Sequence, residues 1–75
     1  MSELRPYEEL ANAIVACAAK DYRDALRDLK KNPKDMEALY EKEDIEDFFH
    51  SRDFRILTQV DPDYLIDRLN KEVFG

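Results

Sequence analysis

The fold of this chain is decided by residues 6–31, which read PYEELANAIVACAAKDYRDALRDLKK. At about 100° per residue, one side of this stretch is apolar along its whole length. Its members are Tyr7, Leu10, Ala11, Ile14, Ala18, Tyr22, Ala25 and Leu29. Because the apolar side keeps its phase over roughly seven turns, the pattern predicts one unbroken amphipathic helix, and the other apolar clusters are expected to pack against it.

Length and composition restrict the class of protein. The 75 residues suffice for one domain with a core of marginal size. The net charge of −6 argues against direct binding to nucleic acid, because that affinity comes from neutralised phosphates. The chain has one cysteine, no apolar run long enough to cross a bilayer and no secretory signal pattern at its start. We therefore expect a cytoplasmic protein without membrane contact.

Two short signals stop one helix and start the next. In the segment 32–35, Asn32 can cap a helix whose first position is Pro33. The segment 61–63, Asp-Pro-Asp, repeats this signal, and Ser51 can cap a short helix between the two. These signals predict a single all-α domain over 1–75 with a frayed tail at 1–5. Its three principal helices and short helical connection are expected at about 6–31, 33–50, 62–73 and 52–58.

The second helix carries apolar residues on two opposite faces. One face holds Met36, Leu39 and Tyr40, and the other holds Ile45, Phe48 and Phe49. Either this helix breaks near residues 41–44, or it is continuous and packs on both sides. In the continuous form, its first half would contact helix 1 and its second half the C-terminal segment. We favour continuity because no Gly or Pro marks a break.

Residues 54–60 have a rival interpretation as a strand. Phe54, Ile56, Thr58 and Val60 alternate with the residues between them at period two. A strand needs a partner, and the sequence offers no second strand within this chain. We therefore favour a helix or a turn there.

Helix 1 is long for its domain. A helix over 6–31 measures roughly 39 Å, whereas a compact domain of this size is about 30 Å across. We expect its N-terminal end to overhang and to form a surface for a protein partner or a homodimer, unless the last helix covers it. The residues of this predicted partner-binding surface are Tyr7, Leu10, Ala11, Ile14 and Val15.

Charge is unevenly distributed along the chain. Residues 20–34 carry six bases and three acids, whereas residues 35–53 carry eight acids and two bases. One interpretation is that two antiparallel helices pair with complementary charged rims. The alternative is that the acidic segment faces a basic partner. The residues of that acidic surface are Glu37, Glu41, Glu43, Asp44 and Asp47.

Catalytic and metal-binding signatures are not found in the sequence. Cys17 lies at the edge of the apolar band, where a small core residue is expected rather than a nucleophile. His50 lies three and four residues after Asp47 and Glu46, but a bundle-type metal site needs a second histidine. We expect His50 to be an exposed or hydrogen-bonded residue at a helix end. The sequence thus predicts no enzyme, no cofactor and no metal site, and the phenylalanines Phe48, Phe49 and Phe54 are expected in the core.

Two motifs carry a resemblance to a known group. Residues 46–51 read EDFFHS, and residues 61–69 read DPDYLIDRL. In this arrangement the chain resembles short proteins encoded in prophages and other mobile elements of Gram-positive bacteria, which share the pattern E-x-F-F-x-S followed by D-P-x-x-L-I-x-x-L. The resemblance rests on packing residues and implies no activity or ligand. It implies a small accessory protein of a phage or mobile element.

Together these observations predict a non-enzymatic protein-interaction module. The alternative is an acidic mimic of nucleic acid that inhibits a DNA- or RNA-binding protein.

Overall fold

A computed structural model describes the backbone of residues 5–75 and the side chains of residues 8–75. Within these ranges the chain forms four α-helices and no strand. The all-α prediction is confirmed, and the structure has three principal helices and one short helix. The predicted tail 1–5 lies outside the described residues except for Arg5, where the first helix begins. The helices are α1 (Arg5–Lys31), α2 (Met36–Phe49), α3 (Arg52–Leu57) and α4 (Pro62–Phe74).

Helix α1 is unbroken, as predicted, and it is the longest of the described helices. Its 27 residues span roughly 40 Å at 1.5 Å per residue, about twice the length of α2 or α4. The molecule measures 48 × 22 × 18 Å. Its radius of gyration is 13.7 Å, whereas a compact domain of this length has about 11 Å. The fold is therefore elongated along α1.

The buried side of α1 differs in detail from the predicted apolar band. Tyr22, Ala25 and Leu26 are fully buried in its C-terminal half, whereas Ile14 is 40 % exposed. The buried positions of α1 are Ala11, Ala19, Tyr22, Ala25 and Leu26, with Val15 and Ala18 packed against the core. Among them, Ala11, Val15, Ala18, Tyr22 and Ala25 follow one another at alternating steps of four and three residues, as in helices that pack along one seam. Ile14 therefore lies beside the seam rather than in it.

The turn between α1 and α2 corrects the predicted start of the second helix. Asn32 does not cap a helix. Its carbonyl accepts from the Asp35 amide (3.0 Å), and its Oδ1 accepts from the Lys34 amide (3.1 Å). Pro33 lies at the second position of this turn, which its fixed φ favours. Asp35 is the true N-cap, since its Oδ1 accepts from the Ala38 amide at 3.1 Å. The second helix begins at Met36 and not at residue 33.

Helix α2 is continuous through residues 41–44, as favoured, but it packs on one side only. Ala38 and Phe49 are buried, whereas Met36 is 53 % and Tyr40 is 61 % exposed. The expectation that this face contacts α1 was therefore wrong for Met36 and Tyr40, whereas its third member, Leu39, is half-buried. The core is built on the opposite face of α2, because the large aromatic rings lie there.

Helices α3 and α4 begin at the predicted caps. Ser51 Oγ accepts from the Phe54 amide at 3.2 Å, and Asp61 Oδ1 accepts from the Asp63 amide at 3.0 Å. Phe54 is fully buried while Ile56 is 66 % exposed, so the two residues do not share a face as they would in a strand. The helical interpretation of this segment is confirmed.

The core is an aromatic cluster closed by apolar residues of α1 and α4. Phe49 packs edge-on against Tyr22, with ring centroids 5.7 Å apart, and against Phe54 at 5.4 Å. Phe48 also packs against Phe54, at 5.8 Å. Such aromatic pairs add about 0.5–1.5 kcal/mol each beyond their burial. Leu69 and Val73 of α4 complete the cluster. The predicted core role is confirmed for Phe49 and Phe54, whereas Phe48 is half-buried and packs against them.

Candidate interaction surfaces

The predicted partner-binding surface on α1 is divided by the structure. Leu10 is 61 % and Ile14 is 40 % exposed, one turn apart on the helix. Ala11 is buried, and Val15 packs against the core. The side chain of Tyr7 lies outside the described residues. The accessible part of this surface is therefore the pair Leu10 and Ile14, which we call the α1 patch.

A groove of about 470 Å³ lies beside Ala11. One wall is formed by α1 and the other by residues 55–59, from the end of α3 and the connection after it. The side chains that line it are Glu8, Ala11, Asn12, Arg55, Ile56, Leu57, Thr58 and Gln59. The residues beside Ala11 therefore come from α3 and its connection, and not from the last helix.

The predicted acidic surface is exposed on α2. All five of its carboxylates lie on the solvent side of this helix. Among the described residues, none of the six ion pairs includes one of them. The bases of α1 pair elsewhere: Arg23 Nε donates to Glu72 Oε2 of α4 at 2.8 Å, and Lys30 Nζ donates to the Val73 carbonyl at 2.8 Å. The interpretation that α1 and α2 pair through complementary charged rims was therefore wrong.

A partly buried polar network joins three helices and was missed by sequence reasoning. The Tyr22 hydroxyl donates to Glu46 Oε2 at 2.6 Å and accepts from Asn70 Nδ2 at 3.2 Å. Lys42 Nζ donates to the same Glu46 oxygen at 2.8 Å. A buried tyrosine hydroxyl requires such partners, and the position of Tyr22 in an apolar band was the signal that could have indicated one.

Burial and hydrogen bonding perturb the network's titratable groups. Burial, with the hydrogen bond to Glu46, raises the pKa of Tyr22 above its usual range. Burial also tends to raise the pKa of Glu46, but the hydrogen bonds from Lys42 and Tyr22 together outweigh it, so this pKa lies below its usual value. Glu46 is therefore ionised at neutral pH and has a structural role between α1 and α2.

His50 ends α2 and contacts the start of α4. Its Nε2 lies 2.8 Å from Asp63 Oδ1, and its Nδ1 lies 2.9 Å from the Glu46 carbonyl. Both partners are acceptors, so both bonds form only when the ring carries two protons. The hydrogen bond to Asp63 accordingly raises the pKa of His50. The expected position at a helix end is confirmed, but the carboxylate partner is Asp63 and not Glu46 or Asp47.

Cys17 is exposed on α1. The expectation of a small core residue was therefore wrong, because Cys17 lies away from the seam that faces α2 and α4. Among the side chains of residues 8–75, no group of three or more acidic, histidine or cysteine residues has the geometry to hold a metal ion.

Comparison with known proteins does not assign a family. A scan against protein-family models and searches of curated proteins and solved structures found no match. In the part of the chain that the structure describes, no helix combines the length and apolarity needed to cross a membrane. Function must therefore be argued from the exposed surfaces themselves.

Proposed function

We propose that this chain is a non-enzymatic protein-interaction module that self-associates or binds a partner through the α1 patch. The observation that carries the proposal is the exposure of Leu10 and Ile14, which lie one turn apart on α1 beside its buried seam. Taking an aliphatic side chain from full exposure to full burial contributes roughly 1.5–3 kcal/mol, and Leu10 and Ile14 would contribute the part of it that corresponds to their exposed area. The resemblance to prophage proteins supports a role as an accessory protein of a phage or mobile element. The net charge of −6 supports a protein without direct nucleic-acid contact, and we place it in the cytoplasm.

Sedimentation velocity of the full chain at about 0.05 M and about 0.5 M salt tests self-association. An apolar interface should give a dimer that persists at high salt, since only charge interactions are screened. The double substitution Leu10→Glu with Ile14→Glu should yield a monomer. Tyr64→Glu is the control, because Tyr64 on α4 is about as exposed as Leu10. A wild-type chain that stays monomeric at both salt concentrations contradicts a homodimer through this patch.

The alternative is an acidic mimic of nucleic acid, and it is favoured by the exposure of all five α2 carboxylates. A mimic binds the basic site of a nucleic-acid-binding protein mainly through charge. Its affinity should therefore fall steeply with salt, and added nucleic acid should compete for the same site. Salt-resistant association through the α1 patch, with no such competition, favours the first proposal.

A further inference from the structure

Helix α2 presents to solvent a second apolar pair that the proposed function does not use. Met36 and Tyr40 are one turn apart and more than half exposed. Continuing along the same side of the helix, the next positions are Glu43, Asp44 and Asp47, all exposed. We call these five residues the outer face of α2.

The outer face makes no identified contribution to the fold. The core is built from the opposite side of α2, where Ala38 and Phe49 are buried. Among the described residues, the hydroxyl of Tyr40 has no protein hydrogen-bond partner. The acids of the outer face take part in no ion pair there. An exposed aromatic residue beside an aliphatic one, bordered by charge, has the composition of an interface anchor.

We propose that the outer face of α2 docks a basic amphipathic helix of a partner protein. Tyr40 and Met36 would contact the apolar side of that helix, and the three carboxylates would face its Lys or Arg residues. This inference rests on the proposed function as a protein-interaction module and adds a second surface with a stated partner chemistry. The carboxylates alone are not evidence of a binding site. The exposed apolar pair Met36 and Tyr40, which lies beside them, indicates a protein partner.

The charge and shape of the outer face favour a basic helix over other partners. Glu37 and Glu41 flank the outer face, so an acidic partner would meet repulsion from five carboxylates. Nucleic acid is disfavoured for the same reason. A second copy using the same face would oppose like charges, because a two-fold interface places a surface against itself. A helix fits because α2 is unbroken, with 14 residues spanning roughly 21 Å.

The test uses fluorescence anisotropy of a labelled synthetic peptide of about 16 residues with the full chain. The peptide carries Leu at helical spacing and Lys elsewhere. Two matched peptides separate the contributions: one has Leu replaced by Ala and keeps the charge, and the other has Lys replaced by Glu and keeps the apolar side. The first peptide should bind, and each matched peptide should bind at least about tenfold more weakly.

Substitutions in the chain locate the site. Tyr40→Ala should weaken binding roughly fivefold or more. Asp44→Asn with Asp47→Asn should weaken binding and flatten its dependence on salt. Tyr64→Ala is the control for an exposed tyrosine, and Glu9→Gln with Asp53→Asn is the control for two lost charges at exposed positions. Circular dichroism should show unchanged helicity in all variants, since none of these side chains is in the core.

Three results would overturn the inference: no binding of the Leu/Lys peptide, equal binding of its Leu→Ala form, or equal losses in Tyr40→Ala and Tyr64→Ala. Equal binding of the Leu→Ala form would indicate attraction by charge alone and would favour the acidic mimic. The proposed function is judged separately, because sedimentation of the Leu10→Glu, Ile14→Glu variant reports on the α1 patch and does not involve the outer face.

Discussion

Tyr22→Phe removes one buried oxygen and keeps the aromatic ring that packs edge-on against Phe49. The hydroxyl that is lost donates a hydrogen bond to Glu46 at 2.6 Å and accepts one from Asn70 at 3.2 Å. Neither partner becomes fully unsatisfied. Glu46 keeps its bond from Lys42, and Asn70 keeps its bond to the Ile66 carbonyl at 2.8 Å.

The magnitude follows from these contacts. A hydrogen bond to a charged group contributes about 1.5–3 kcal/mol, and a neutral one about 1 kcal/mol. The Glu46 side chain is 27 % exposed, so water replaces part of what it loses. We therefore expect the free energy of unfolding to fall by about 1.5 kcal/mol. In a domain of this size, that corresponds to a decrease in Tm of roughly 6–12 °C.

Thermal and urea unfolding followed by circular dichroism measure the effect. Tyr64→Phe is the matched control, because Tyr64 is 59 % exposed on α4, and its free energy of unfolding should change by less than about 0.5 kcal/mol. If Tyr22→Phe were as stable as this control, the network would not join the three helices energetically, and the reasoning would be refuted.

The pH dependence of the same pair gives an independent check. The pKa of Tyr22 is raised on folding. Its contribution to the free energy of unfolding is therefore fully present below about pH 10 and is lost as pH rises toward the folded pKa. Phenylalanine does not titrate. The stability difference between wild type and Tyr22→Phe should therefore narrow above about pH 10. The pKa of Glu46 is lowered on folding, so its contribution is present above about pH 4.3 and is lost as pH falls through the folded value.

Three further substitutions test the two ends of α2. Folding raises the pKa of His50. The stability that this residue contributes to the fold is therefore fully present below about pH 6.5 and is lost as pH rises through the pKa of the folded state. His50→Ala should therefore lower the Tm more near pH 5.5 than near pH 9, where the neutral ring still donates one hydrogen bond; an equal decrease at both pH values would contradict the Asp63 contact. At the other end, Asp35→Ala should lower the free energy of unfolding in urea by about 1 kcal/mol, and Asn32→Ala by less than about 0.5 kcal/mol. The reverse order would restore Asn32 as the cap.

Much of the fold could be predicted because its signals are local. A cap and the amide that it accepts from lie within a few residues, so Ser51 and Asp61 could be identified directly. The long apolar side of α1 likewise depends only on helical periodicity. The first turn was harder, because Asn32 and Asp35 are both good caps, and the turn geometry around Pro33 decides between them.

The candidate surfaces were only partly predictable. Leu10 and Ile14 were identified, but Ala11 was assigned to the same surface although residues 55–59 lie against it. The exposure of Tyr40 was missed, because both faces of α2 are apolar in the sequence. A helical pattern shows which residues share a face, but it does not show which of two apolar faces another helix will cover.

The sequence by itself determined the helical class, the unbroken α1 and the caps of α3 and α4, since hydrogen bonds and periodicity over a few residues suffice for these. Only the tertiary structure decided that α2 buries Phe49 and exposes Tyr40, that Glu46 meets Tyr22, and that His50 meets Asp63. The reason is physical: these outcomes depend on packing between residues 13 to 27 positions apart, where shape and burial across helices outweigh any local preference.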